Sequence, residues 1–311
     1  GNMKAKAEKK KSLWREIWKN KAVYLIMLPG IAWFVLFAYG PMSGLQLAFK
    51  TYSMKLGIWG SPWCGLENFE YVFRDPSFLK SVGTTLWINA GRLIFQFPIP
   101  VILALLMNEL RLKRYKKVVQ TVLTFPQFLS WVIVASIVIN ILSYDGLVNS
   151  IIAAMGGETV NFTGNAQLFQ PLLYITENWK SAGWSAIIYM AAISGIDMDQ
   201  YEAADLDGAS RLQKIFRITL PNILPTISVM FVLQMGSLMS GGFDQIFNLS
   251  NPAVKDVSEI LDMYIYDITF GSTPDFSFST AVSFFRSVVN CAFLVAADRG
   301  AKALGGSGLF G

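Results

Sequence analysis

Six apolar stretches divide the chain, at residues 22–44, 84–107, 118–143, 172–193, 223–240 and 278–297. Each is close to the length an α-helix needs to cross roughly 30 Å of hydrocarbon. Composition agrees: 53% of residues are hydrophobic and 15% charged, against about 25% charged in soluble domains. Pro29, Pro98, Pro100, Pro126 and Pro225 interrupt several of the stretches. Such kinks are tolerated where neighbouring helices or water satisfy the freed backbone groups. The fourth stretch is the weakest, because Glu177, Asn178 and Lys180 lie in its first turns. The expected fold class is an all-α polytopic membrane protein. Six transmembrane helices fill residues 22–297, between a basic N-tail (1–21) able to form an amphipathic helix and a C-tail (298–311).

Charge sets the expected orientation. The net charge is +5, and a basic balance is one mark of nucleic-acid binding. Here the basic residues cluster beside apolar spans, which suits a membrane and not a nucleic acid. With the N-terminus inside, the inner segments hold 18 of the 26 Lys and Arg residues, and the outer segments hold five. The inner set includes Lys4 to Lys21, Arg111 to Lys117, Arg211, Lys214, Arg217, Arg299 and Lys302. That bias puts both termini in the cytoplasm. The run from Ala22 is too long for a signal peptide and lacks a clear small-x-small cleavage site, so it is read as a retained first helix.

Several chemistries are excluded. The chain has no histidine and two distant cysteines, Cys64 and Cys291. Ser-His-Asp hydrolysis, HExxH zinc chemistry and a disulfide framework all fall away. No paired intramembrane Asp or Ser/Lys signature supports an intramembrane enzyme, and no Gly-rich filter segment lies within a span. No Gly-x4-Gly-Lys-Ser/Thr occurs, so the chain has no nucleotide site of its own. No catalytic residue, metal site or resident cofactor is expected.

The inner loop at 194–222 carries the most specific pattern. It reads Glu202-Ala203-Ala204-Asp205-Leu206-Asp207-Gly208, nine further residues, then Ile218-Thr219-Leu220-Pro221. The first part favours helix and Gly208 breaks it. Residues 209–218 form a second helix, and Pro221 with Pro225 opens the next span. A helical hairpin on the cytoplasmic side is a handle that a partner can grip to push on two spans. Ala203, Ala204 and Gly208 leave room for close backbone approach, while Glu202 and Arg211 offer charge. Read physically, it is equally a loop helix with no partner.

The spacing resembles the EAA signature of binding-protein-dependent ABC importer permeases: Glu-Ala-Ala, three residues, Gly, nine residues, Ile-x-Leu-Pro. Every fixed position is present. Gly65-Leu66-Glu67-Asn68-Phe69 is similar to a stretch of maltose-type sugar permeases. Asn178-Trp179-Lys180, Gly183-Trp184, Gly242-Phe243-Asp244-Gln245, Asn251-Pro252-Ala253, residues 283–290 and Gly305-Gly306-Ser307-Gly308-Leu309 resemble a subgroup that imports oligosaccharides and polysaccharides. The resemblance implies a type I ABC importer architecture in a bacterial plasma membrane. It implies docking of an ATPase through Glu202, Ala203, Ala204, Asp207, Gly208, Arg211, Ile218, Leu220 and Pro221. The implied partners are a second homologous permease, two ATPase subunits that bind ATP and Mg, an extracytoplasmic solute-binding protein, and membrane lipid. The implied solute is an oligosaccharide or polysaccharide; a permease for a non-sugar solute is the alternative.

A sugar path needs aromatic faces and hydrogen-bonding amides or charges. Polar groups at membrane depth usually face the bundle interior. The candidates are Trp179, Lys180, Trp184 and Tyr189 on the fourth span, Gln234, Ser237 and Asp244 on and after the fifth, and Arg286 and Asn290 on the sixth. Structural readings stand beside these. Trp179 and Trp184 suit interfacial anchors, Gln234 and Asn290 suit interhelical bonds, and Arg286 suits pairing with an acid. The outer loops 46–80 and 243–277 are either a docking surface or a cover for helix ends.

Overall fold

The computed structural model describes residues 16–110, 112–303 and 308–309. Most of the basic N-tail, Arg111 and Gly305-Gly306-Ser307 lie outside the described residues. The fold is nearly all helix; the one β contact among the described residues is an isolated antiparallel bridge, Lys50 to Trp63. Among them, five helical stretches are long and apolar enough to cross a membrane. They are Lys21–Phe49, Pro76–Asn108, Trp131–Ala154, Arg211–Met235 and Phe276–Ala303.

The first stretch begins as α1 (Lys21–Phe34), passes through a π-turn and ends in a 3-10 segment, Gly40–Phe49. Asn68, from the Gly65–Phe69 stretch, donates to the carbonyls of Ala48 and Lys50 at 3.0 Å. That side chain fastens the end of the first span to the loop that follows it. The second stretch is broken: α2 (Pro76–Phe95) gives way to α3 (Pro98–Asn108). Pro98 has no amide to continue the ladder, and its ring crowds the preceding turn.

The third expected span is corrected. Residues 118–143 do not form one helix. α4 (Lys113–Thr124) ends in a 3-10 turn at Phe125–Phe128, and α5 (Trp131–Leu142) starts afresh. Pro126 stops the first helix, and Ser130 caps the second by accepting from the Ile133 amide. The stretch long enough to cross is therefore Trp131–Ala154, displaced toward the C-terminus. α4 is the basic, amphipathic arm before it.

The fourth expected span also differs. It lies in α6 (Ala166–Ser194), a helix of 29 residues that is not among the stretches apolar enough to cross on composition. The reason is its position. α6 packs against α2, α3, α4 and the fifth expected span, and it buries Thr176, Lys180, Ala182, Gly183, Ala186 and Tyr189. A helix walled by protein can carry polar residues that a lipid-facing one cannot.

The loop at 194–222 is α7 (Met198–Leu206), a turn, and one helical turn at Arg211–Lys214. Gly208 sits at φ 74°, in the left-handed region, where a side chain is strained. Ser210 and Gln213 cap the second arm reciprocally. The expected separation between this arm and the fifth span is absent. The arm runs through a π-turn, Ile215–Thr219, directly into α8 (Leu220–Met235). The widened turn accommodates Pro221, whose missing amide would break a regular ladder. α8 stops at Met235, short of residue 240. A turn follows, and then α9 (Phe243–Leu249). The last helix is α10 (Phe276–Ala303).

Two contacts from α10 brace this end of α8. Asn290 accepts from the Met239 amide and donates to Ser240 Oγ, both at 2.8 Å. Arg286 is ion-paired to Asp262, whose other oxygen accepts from the Gly241 amide. Both side chains of the pair are largely buried. Removing one partner of such a pair strands the other charge, whereas apolar replacement of both is often near neutral. Asp262→Asn is expected to cost about 3 kcal/mol, read as a lower melting temperature of the detergent-solubilised protein. The double change Asp262→Leu with Arg286→Leu should recover most of it.

Gly183 marks a close helix approach. A Cβ there would lie 2.1 Å from the carbonyl oxygen of Leu123 on α4, so α4 and α6 touch backbone to side-chain-free backbone. Gly183→Val is expected to destabilise by at least about 2 kcal/mol through overpacking, seen as loss of the monodisperse peak in size-exclusion chromatography. An unchanged elution profile and melting temperature would contradict this packing.

Candidate functional site

A cavity of about 360 Å³ opens where α2 breaks into α3, between α6 and the C-terminal half of α8. Its wall from the second stretch is Asn89, Arg92 and Gln96, spaced to share one helix face. α6 contributes Glu177, Asn178, Ser181, Ser185 and Tyr189. Gln234, Ser237 and the Gly241-Gly242 turn close the far side. The lining is amide, hydroxyl and charge around a few apolar groups, Phe97, Pro100 and Met230, which is a surface suited to a hydroxyl-rich solute.

A buried network fixes this wall. Arg92 donates to Asn89 Oδ1 at 3.3 Å and to Gln245 Oε1 at 2.6 Å. Gln245 donates onward to the Leu173 carbonyl at 2.7 Å and to Thr176 Oγ1 at 2.9 Å. Asn89 donates to the Leu238 carbonyl at 2.8 Å. Gly242, at φ 84°, lies so close to Arg92 that a Cβ would sit 2.3 Å from its guanidinium nitrogens. The second stretch, α6 and the turn after α8 therefore meet through one arginine.

The structure divides the path candidates read from sequence. Tyr189, Gln234 and Ser237 line the cavity. Trp179 and Trp184 are about half exposed, and Trp184 packs edge-on against Phe128. Lys180 is buried, but its Nζ donates to the Gln127 carbonyl at 2.9 Å and lies over the Trp131 ring. It serves the break between α4 and α5, not the cavity. Asp244 is exposed in the first turn of α9. Arg286 and Asn290 are occupied by the bracing contacts described above. Asn89, Arg92, Gln96, Glu177 and Asn178 were not among the candidates. Three polar residues at helical spacing in an apolar run were the available signal for the first three. The polar start of the fourth stretch was the signal for the others.

The hairpin joins two of the cavity's walls, α6 and α8, and it is cross-linked. Lys214 is ion-paired to Asp205 at 2.6 Å, Tyr201 and Thr219 share a hydroxyl hydrogen bond at 2.8 Å, and Asn222 donates to Gln200 Oε1 at 2.9 Å. Its tip is open: Glu202, Ala203, Asp207, Gly208 and Arg211 are exposed, as are Leu206, Leu212 and Phe216. Ala204 is half-buried, and Ile218, Leu220 and Pro221 lie at the root, where Ile218 and Leu220 join the apolar cluster around Tyr189 and Ile223.

Comparison with known proteins places this arrangement. Residues 96–298 match the family described as binding-protein-dependent transport system inner membrane component. The chain is 42% identical over 306 residues to the polygalacturonan/rhamnogalacturonan transport system permease protein YteP of Bacillus subtilis (strain 168), covering 98% of this chain and 95% of that protein. It is 40% identical to protein LplB of the same organism, covering 94% and 92%. Among solved structures, a bacterial ABC transporter involved in the import of the acidic polysaccharide alginate superposes with a TM-score of 0.85 at 36% identity, covering 94% of this chain and 99% of that one. A family match over this much of the chain, on a helical membrane fold carrying the hairpin, establishes that the protein belongs to the binding-protein-dependent transport system inner membrane components.

Proposed function

We propose that this chain is one permease subunit of an ATP-driven importer for oligosaccharide or polysaccharide, with the Arg92 cavity on its translocation path. One observation carries the reading: the cytoplasmic hairpin joins α6 and α8, the two helices that bear Tyr189 and Gln234 on opposite walls of the cavity. A cross-linked hairpin moves as a unit, so force on its open tip shifts the cavity walls. The relatives support the solute class: their names specify polygalacturonan/rhamnogalacturonan and alginate transport. A second alginate importer structure includes its periplasmic protein with bound alginate pentasaccharide, which supports a solute-binding protein as partner.

The proposed assembly holds a second permease and two ATPase subunits that bind ATP and Mg. Exposed Glu202, Leu206, Arg211 and Leu212 supply charge and apolar area for the ATPase contact. ATP binding closes the ATPase pair, the hairpins follow, and the cavity faces outward to take solute from the binding protein; hydrolysis resets it. This is a two-state element biased by nucleotide at one end and solute at the other. In this arrangement α6 serves as the sixth crossing despite its polarity, shielded by its neighbours, and both termini face the cytoplasm as the Lys and Arg bias requires.

The test is uncoupling with insertion intact. Glu202→Lys reverses charge at the tip, and Gly208→Trp places a bulky side chain at a left-handed turn. Each is expected to abolish saccharide uptake and binding-protein-stimulated ATPase activity in proteoliposomes, while the permease still inserts in the membrane. Normal coupled uptake in either variant would sink the docking assignment.

A further inference from the structure

Within the importer reading, on which this step rests, we propose that Arg92 binds a carboxylate of the transported saccharide and makes the cavity selective for uronate-containing chains. Arg92 is 6% exposed, and a guanidinium stays charged in any protein environment. Its two terminal nitrogens bond neutral amide oxygens, Asn89 and Gln245. Among the described residues no carboxylate lies within the 4.0 Å of an ion pair with it. The Nε atom is buried and has no hydrogen-bond partner, and the same is true of Gln96 Nε2, one turn further along the same wall. Both residues line the cavity.

Burying a charge is costly, and Glu177, the carboxylate of the same lining, acts on Arg92 only from beyond ion-pair distance. Leaving its Nε–H unsatisfied adds to the cost. The surrounding network holds this cost in place instead of relieving it. Gln245, Asn89 and the Cβ-free face of Gly242 fix the guanidinium from three sides. A neutral sugar needs only the hydroxyl and amide groups already present, Asn178, Ser181, Gln234 and Ser237. A uronate supplies what those groups lack, an anionic acceptor for a preorganised fork. Glu177, the one carboxylate in the lining, favours hydroxyl donors on its side and repels a second carboxylate there. The two charges therefore orient a uronate as well as attracting it.

The experiment uses the complete transporter, co-purified with its partner subunits, in lipid nanodiscs without the binding protein. Equilibrium dialysis measures binding of tetragalacturonate and of its carboxyl-reduced, neutral counterpart. The wild type is expected to prefer the acidic tetrasaccharide by about tenfold or more, the value of a charge-assisted hydrogen bond. Arg92→Gln should erase that preference, read as the ratio of acidic to neutral binding and not as the level of either one. Arg92→Lys keeps the charge without the fork and should retain part of the preference; it also serves if Arg92→Gln does not assemble. Equal binding of both sugars by the wild type overturns the inference, as does failure of the wild type to bind either. An equal loss of both sugars in Arg92→Gln also overturns it, since that is the signature of a brace. ATP-driven uptake by the wild type, with binding protein added, is scored separately. If no saccharide enters, the importer reading fails; if only neutral saccharides enter, that reading stands and the role of Arg92 does not.

Discussion

In hydrocarbon a backbone carbonyl that loses its helical partner has no water to turn to, and two broken helices in this fold pose that problem side by side. α2 gives way to α3 at Pro98, and α4 to α5 at Pro126. α6 answers both with neighbouring residues. Asn178 donates to the Phe95 carbonyl at 3.3 Å, and Lys180 donates to the Gln127 carbonyl at 2.9 Å. The Asn178-Trp179-Lys180 stretch thus reads as a repair kit for two breaks. Once those carbonyls are satisfied, α2 can turn aside and leave the cavity at its bend. The polarity that makes α6 a poor lipid-facing helix is what makes the broken bundle stable.

The same economy appears at the turn after α8. Gly242 admits the Arg92 guanidinium, Gln245 bridges that arginine to α6, and Asn290 holds Met239 and Ser240 from α10. Charge and amide groups that would be costly in lipid are placed where several helices converge. The cavity wall is therefore tied to four elements at once, while the opposite end of α6 and α8 ends in a hairpin with an open tip. A rigid knot at one end of the same two helices and an exposed hairpin at the other form the lever that the proposed coupling needs.

Much of this was legible in the sequence, and the failures are instructive. Apolar length located five stretches that qualify as spans, and Gly208 correctly marked the hairpin turn. The third span was misplaced because apolar residues continue across Pro126, so length alone could not see that Val118 and Val132 belong to different helices. The fourth expected span does not qualify by composition, because α6 draws its setting from neighbouring helices, which a local window does not contain. For the cavity, Tyr189, Gln234 and Ser237 were found from polarity. Arg92 was passed over, and Arg286 was chosen instead. Both are arginines in apolar runs, and only the fold reveals that Asp262 stands beside one and neutral amides beside the other.

The π-turn at Ile215–Thr219 has a geometric consequence. A regular helix advances about 100° per residue, and a π-turn absorbs one residue beyond the regular count. The hairpin arm and α8 are continuous, so this extra residue sets the angular phase between them. It decides which compass bearing Arg211 and Leu212 take relative to Gln234, about a turn of wrist for every residue added or lost. The segment is in effect a keyed shaft: sequence changes on either side are tolerated as long as the key stays, and a single deletion within it would leave both ends folded yet pointing in mismatched directions.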